Sequence, residues 1–340
     1  MRPITATTSP SEIIGLQAKP LAGLVCGFRF GPDGSSEELD VNKPVSDQNG
    51  WLWLHFNLAD TRACQFLRST CDLPLLAREL LVATDEHQQL HQSDTCVYGV
   101  LADLVCGLDG ITEEIGFLHF VMTETLFVSG RRHALNSVEA TRRALRGGLK
   151  VVRTAALLQI IVEHVVEAID RYAEGLAGHL DHIEERVIAN DVNVHRQAIG
   201  RIRRMTVRLH RQLVIMRSLM RRFERDIGDS NPTLRLSPER LSQRLDWLDT
   251  EIVALRDRAH LLQEEVTLKT AEQTNRNLQV LAIVTTVFLP ASLVAGIFGM
   301  NVKGLPFTEN DSGFLWSIAI LAGASAFVFW LLRRSGILNR

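Results

Sequence analysis

Charge is missing from the end of this chain. No Asp, Glu, Lys, Arg or His occurs between Asn277 and Val302, and none in FLWSIAILAGASAFVFWLL from Phe314 to Leu332. Cysteine is scarce as well. Five in 340 residues, an odd number with no CxxC pair, exclude a disulfide framework and a structural zinc ribbon. Net charge is only −2, which excludes a nucleic-acid binder held by bulk charge, and 46% apolar residues exclude a disordered chain. The first twenty residues hold Arg2, a Ser/Thr cluster and no apolar core long enough for a signal peptide. The residues before the first uncharged run are therefore expected to stay in the cytoplasm.

What is present takes its meaning from those two runs. Leu278 to Phe298 would extend about 31 Å as helix, and Phe314 to Leu332 about 28 Å, against a hydrocarbon core of about 30 Å. A buried hairpin of a soluble protein would keep a polar face, and neither run has one. Two spans are expected. Lys269 and Arg276 precede the first, and Arg333, Arg334 and Arg340 follow the second, while the connecting loop sets one Lys against Glu309 and Asp311. The positive-inside rule then puts both termini in the cytoplasm of a bacterial inner membrane and the loop in the periplasm. Trp316 and Trp330 sit near the ends of the second span, as interfacial anchors do.

The expected organisation is a cytoplasmic α/β domain (1–150), a helical stalk (151–276), a first span (277–298), a loop (299–313), a second span (314–332) and a tail (333–340). Strand-like runs lie at Leu24–Phe30, Trp51–Asn57, Thr95–Val105, Gly116–Thr123 and Thr125–Ser129, and helical patterns at Thr61–Thr70 and Pro74–Ala83, with Pro74 in the first turn. No phosphate loop, nucleophile elbow or dinucleotide fingerprint occurs, so no catalysis is expected. An apolar stripe marks a helix through Val151–Ile188, and a second helix runs from Val194 to about Ile227. Beyond Ser237-Pro238 nothing breaks the pattern until Pro290, so one helix of about sixty residues should become the first span. Ten Arg face one Glu between Arg196 and Arg225. A nucleic-acid or lipid-headgroup surface competes there with the outer face of packed helices, and the second is preferred; no nucleic-acid partner is expected.

A single helical hairpin cannot enclose a water path, so the spans imply an oligomer. Alternating steps of three and four down the first span give Asn275, Leu278, Ala282, Thr285, Leu289, Ser292 and Gly296, a seam with hydroxyl and small residues. Val280, Val287 and Ile297 lie opposite. The seam can line a pore or close a tight helix interface without a lumen. With no acid or histidine in either span, a crossing ion would keep much of its water. Extended into the stalk, the seam passes Ala271, Leu268, Glu264, Leu261 and Asp257, so Glu264 and Asp257 are candidate vestibule carboxylates, or ordinary stalk charges. His87 and His91, four apart, would share a helix face, and His179 and His182 are three apart beside Asp181, Glu184 and Glu185; each pair is a weak zinc candidate.

At the outer end of the first span stands Gly299-Met300-Asn301. With the two-span tail, the long stalk helix and the α/β amino-terminal part, this tripeptide resembles the CorA family of metal ion transporters. The resemblance implies a homopentameric funnel in membrane lipid, first spans around the pore, and Gly299, Met300 and Asn301 as the selectivity filter, with a ring of Asn301 amides at the mouth. It implies no resident cofactor; the divalent cation is cargo. After the tripeptide, NVKGLPF lacks the acidic loop typical of magnesium-transporting members and looks like the zinc transport (ZntB) branch, as do WLWLHFN and FRFGPDG. That branch implies zinc uptake, described as proton-linked. Met300 keeps the magnesium-type form of the motif, so a magnesium, cobalt or nickel channel is the alternative. A non-conducting membrane scaffold or sensor is the alternative of another class, and it leaves the tripeptide unexplained.

Overall fold

The computed structural model describes residues 21–43, 50–69, 73–93, 95–107, 110–189, 196–226, 239–300 and 313–334. The chain forms two compact units, Met1–Leu262 and Gln263–Arg340.

The first unit is built on β1 (Leu24–Phe30), β2 (Ser36–Glu38), β3 (Trp51–Asn57), α1 (Thr61–Ser69), α2 (Leu75–Val82), β4 (Gln89–Gln92), β5 (Val97–Gly107), β6 (Gly110–Met122), β7 (Leu126–Arg131) and α3 (Asn136–Arg146). The strands form one sheet in the order β2-β1-β3-β7-β6-β5-β4. Its centre is the parallel pair β3–β7, with Leu52 opposite Leu126 and His55 opposite Ser129; the other pairings are antiparallel. A strand covered on both faces needs apolar residues at every position. WLWLHFN comes close to that condition: its first six residues are buried, and the one polar side chain among them, His55, is hydrogen-bonded. Leu52, Leu54 and Phe56 pack with Leu67 of α1 and Leu81 of α2 on one face. On the other, Trp51 stacks on Phe30 at 3.8 Å between ring centroids and Trp53 on Phe28 at 5.6 Å.

His55 and Ser129 are fully buried beside these rings. Arg131 Nε donates to His55 Nε2 at 3.1 Å, which puts the imidazole proton on Nδ1, facing Ser129 Oγ at 2.8 Å. Trp53 Nε1 donates to the same oxygen at 2.9 Å. Burial first, then the Arg131 and Arg142 charges, hold His55 down at about 3, so the network stays neutral at its centre.

Asp103, on β5, is also buried, and accepts the backbone N–H groups of Leu104 at 2.7 Å and Ser137 at 2.8 Å at the start of α3. Burial outweighs these bonds and raises its carboxyl from 3.8 to about 6. A carboxyl raised on folding adds stability that is complete below its unfolded pKa and is lost as pH rises through the folded one. About two units correspond to roughly 3 kcal/mol. Between about pH 4 and about pH 7, the melting midpoint of the full chain in detergent should fall more steeply than that of Asp103→Asn. Parallel curves would show that Asp103 carries no such cost.

Sequence and structure differ where residues are polar. β2 (SEE) and β4 (QLHQ) are short edge strands with no apolar alternation to announce them. β6 begins six residues before the predicted Gly116: Ile115, Ile111 and Gly110 pair with Leu104, Cys106 and Gly107 of β5 across a register shift, and Thr112-Glu113-Glu114 between them break the apolar alternation. Pro74 stands outside α2, with ψ 140°, as its N-cap.

Beyond α3 the first unit is helical: α4 (Thr154–Ile188), α5 (Arg196–Asp226) and the start of α6 (Glu239–Phe298). The predicted stripe on α4, from Leu158 to Val187, is buried at every position except Tyr172, which is half-buried. On α6, Leu241, Leu245, Leu248, Ile252, Leu255, Ala259 and Leu262 are buried at alternating steps of four and three, as a helix packed on other helices requires. Arg217 of α5 reaches Asp246 at 3.1 Å and Asp249 at 3.3 Å, and Arg221 reaches Asp246 at 2.6 Å. Part of the arginine-rich run is thus directed to a neighbouring helix of the same chain. The break around Pro232 and the Ser237-Pro238 start lie outside the described residues.

In the second unit α6 continues to Phe298, with Pro290 inside it, and α7 spans Gly313–Arg334. Both helices are long and apolar enough to cross a membrane, and their most apolar stretches are not buried within the chain. Leu278, Phe288, Leu289 and Leu293 are each about 60–70% exposed, which water would not tolerate in a row and hydrocarbon does.

Candidate functional site

An α-helix advances 100° per residue, so side chains three and four apart share a face. On the apolar part of α6 two faces differ. Gln279, Ile283, Val287, Pro290, Ala291 and Val294 are half-covered. Asn275, Leu278, Ala282, Thr285, Leu289, Ser292 and Gly296 lie on roughly the opposite side, and all are exposed. The seam read from the sequence is therefore a continuous open face of this helix. Of the residues set against it, Val287 is half-covered, while Val280 and Ile297 are exposed.

The hydroxyls on this helix are not free rotors. Thr285 Oγ1 donates to the Leu281 carbonyl at 2.6 Å, Thr286 Oγ1 to Ala282 at 2.6 Å, and Ser292 Oγ to Phe288 at 2.9 Å. Each proton is committed to the helix's own backbone, and what remains outward is the oxygen's lone pairs. A hydrated dication presents the hydrogens of its first-shell water on its surface. A face of hydroxyl acceptors can hold such an ion through its water.

The helix ends where the tripeptide begins. Gly299 N–H donates to Ala295 at 2.9 Å and Met300 N–H to Ile297 at 3.3 Å. A Cβ on Gly299 would stand 3.0 Å from the Ala295 carbonyl oxygen, so the close of the helix is fitted to glycine. The last turn of α6 carries no basic residue, which leaves the negative end of its dipole without a side-chain cation. Asn301, Lys303 and the GLP segment lie outside the described residues.

The stalk carboxylates differ from one another. Asp257 is exposed and accepts Arg256 Nε at 3.0 Å and Nη2 at 2.8 Å, so its charge is largely met by its own neighbour. Glu264 is exposed, as are Leu261 and Leu268, both at 66%.

The histidine pairs do not gather metal ligands. His87 and His91 share no helix, a correction to the sequence reading: His87 precedes β4 and His91 lies within it, because QLHQ completes the sheet edge against β5. His87 Nδ1 contacts Asp85, and His91 stacks on Tyr98 at 5.4 Å. His179 and His182 do share α4, but the nearby Asp181 and Glu184 are held by Arg258, with 2.5 Å to Asp181 and 2.8 Å from Nε to Glu184. Among the described residues no group of three or more His, Cys, Asp or Glu is placed to hold a metal ion. The sequence offered no sign of the His55–Ser129 network, whose partners are far apart in the chain, whereas the committed hydroxyls follow the local i−4 habit of Ser and Thr within a helix, a signal the spacing argument did not use.

Against known proteins, residues 48–334 match the family described as CorA-like Mg2+ transporter protein. The chain is 25% identical over 328 residues to the divalent cation transporter CmaX of Pseudomonas aeruginosa, covering 92% of this chain and 96% of that one. It is 20% identical over 319 residues to the zinc transport protein ZntB of Photorhabdus laumondii, covering 92% and 96%. The solved structure of full-length CmaX superposes with a TM-score of 0.74 at 22% identity, covering 94% of this chain and 99% of that one.

Proposed function

The chain belongs to the CorA-like Mg2+ transporter family, and from that premise we propose that it moves zinc into the cell through a homopentameric pore lined by α6. Divalent cation transport is the family's activity; the metal, the direction and the pentamer are what we propose beyond it. One observation carries the pore assignment: the acceptor-bearing face of α6 is fully exposed and turned away from the half-covered face. Five such faces enclose a lumen of lone pairs, small side chains and leucines, a surface suited to a cation that keeps its hydration shell. Exposed Leu261 and Leu268 extend the same requirement for neighbouring copies below the membrane. The protein sits in the bacterial inner membrane with both termini in the cytoplasm, and Asn301 completes the filter beyond the end of α6.

Zinc is favoured by the loop after the tripeptide and by likeness to proteins named for zinc transport. Magnesium, with cobalt or nickel, is the second reading, favoured by Met300 and by the family's description. Liposomes holding the full chain and a fluorescent zinc indicator test both. Zinc entry that a tenfold excess of magnesium leaves intact supports the first; strong competition by magnesium supports the second; no flux of either ion removes the transport reading. The same assay reports on the vestibule. Because Asp257 is paired to Arg256 and Glu264 is also engaged within the chain, the Asp257→Asn, Glu264→Gln variant should lose no more than about half its flux at low salt, and nothing at about 0.1 M, where screening shortens to about 10 Å. Equal flux at both salt levels excludes an attractive role for these carboxylates.

A further inference from the structure

A cavity of about 550 Å³ opens between the start of β6, α4 and α5, inside the first unit and away from the membrane helices. Its floor is apolar, with Leu176, Ile183 and Ile202 all more than nine-tenths buried. Its rim is polar. Arg171, His179 and His182 rise from α4, Arg201 from α5 and Glu113 from β6. Among the described residues, Arg201, His179, His182 and Glu113 form no hydrogen bond or ion pair. Arg171 makes only a long 3.4 Å bond from Nε to the Glu167 carbonyl. Arg217 and Arg221, further along α5, meet carboxylates of α6. Among the described residues, then, two guanidinium groups without a carboxylate partner stand at the mouth of an apolar cavity.

Gly175 supplies the second, independent observation. It stands in the middle of the 35-residue helix α4 and lines the cavity, and a Cβ placed there would meet nothing within 4 Å. Glycine inside a helix is less favourable than alanine, and no close approach of backbone or side chain requires it here. What it provides is empty space at the cavity wall.

We infer that this cavity binds a small organic anion, one phosphate or carboxylate carried on an apolar or aromatic body, with Arg171 and Arg201 on the charged group. Guanidinium is matched to such groups by its planar fork of donors. The apolar body lies on Leu176, Ile183 and Ile202 and over the open wall at Gly175. The volume is in the range of small-molecule sites. Glu113 on the rim disfavours a string of anionic groups, so the ligand carries one. A metal ion is the poorer occupant: two imidazoles are present, and Asp181 and Glu184 are held by Arg258.

The test is calorimetric titration of the full chain in lipid nanodiscs with phenyl phosphate, inorganic phosphate, phenol and zinc. Phenyl phosphate should bind at least about tenfold more tightly than inorganic phosphate or phenol, since each half lacks one component of the site. Arg171→Gln with Arg201→Gln should weaken it by at least about tenfold. Gly175→Leu should abolish it by filling the wall, with a melting midpoint no lower than the parent's, while Gly175→Ala melts higher and still binds. Undiminished binding in Gly175→Leu overturns the inference. So do phenol binding as tightly as phenyl phosphate, no phenyl phosphate binding at all, or a zinc signal lost in His179→Ala, His182→Ala as the only binding event. None of these readouts depends on transport.

Discussion

An Asn301→Ala chain should assemble and melt as the parent does, yet lose divalent cation flux in liposomes by about a hundredfold. The expectation rests on how α6 ends. α6 ends at Phe298 with no basic side chain in its last turn, so the negative end of its dipole is unmet by a cation there. Five such ends in a pentamer attract a dication to the mouth, but carbonyls at a helix end are diffuse partners. A ring of amide oxygens adds directed acceptors for the ion's water. Losing hydrogen bonds to a charged partner at roughly 1.5–3 kcal/mol each reaches a hundredfold with one or two contacts. Alanine removes the amide and little volume, so oligomer size by light scattering should not change. Parental zinc flux in that variant would remove the filter assignment.

The second large effect is expected at Leu289, 70% exposed on the open face of α6, one position before Pro290. Five leucines around a narrow bore repel water, and a dry segment is closed to a hydrated ion. Leu289→Ser should raise basal leak about tenfold, the effect of lowering that barrier by about 1.4 kcal/mol. Val280 is the control. It is exposed to a similar degree, at 55%, but off the seam, so Val280→Ser should leave the leak unchanged. The reverse pattern, leak from Val280→Ser and none from Leu289→Ser, would place the bore on another face of the helix.

How much of this was legible in the residues depends on how local its cause is. β3 was readable to the residue, because a strand buried on both faces is mostly apolar, and Trp51–Asn57 is apolar at five of its first six positions. α6 was readable because nothing from Glu239 to Phe298 breaks a helix except Pro290, within the apolar run. The seam could be named from spacing alone, since spacing fixes which side chains share a face. Its chemistry could not. Threonine at 285 reads as both donor and acceptor until the bond to Leu281 shows that only the acceptor faces outward. His87 and His91 misled for the opposite reason: a four-residue spacing means one face only in a helix, and a polar edge strand carries no apolar period to reveal itself. Arg171 and Arg201 carry no mark of their own in the sequence, and only the packing of α4 and α5 brings them to one rim.

The parallel pairing at the centre of the sheet also sets a schedule. Trp53 and His55 find their partner in Ser129, about 75 positions later in the chain, and β3 has no other neighbour on that side. At roughly 5–20 residues per second, a ribosome needs about 4–15 s to make the intervening stretch. Throughout that interval Phe28, Phe30, Trp51 and Trp53 have been synthesised without the strand that completes their layer. A nascent chain at this stage exposes apolar surface that the finished sheet covers, and the membrane helices are made later, after the sheet can already have closed.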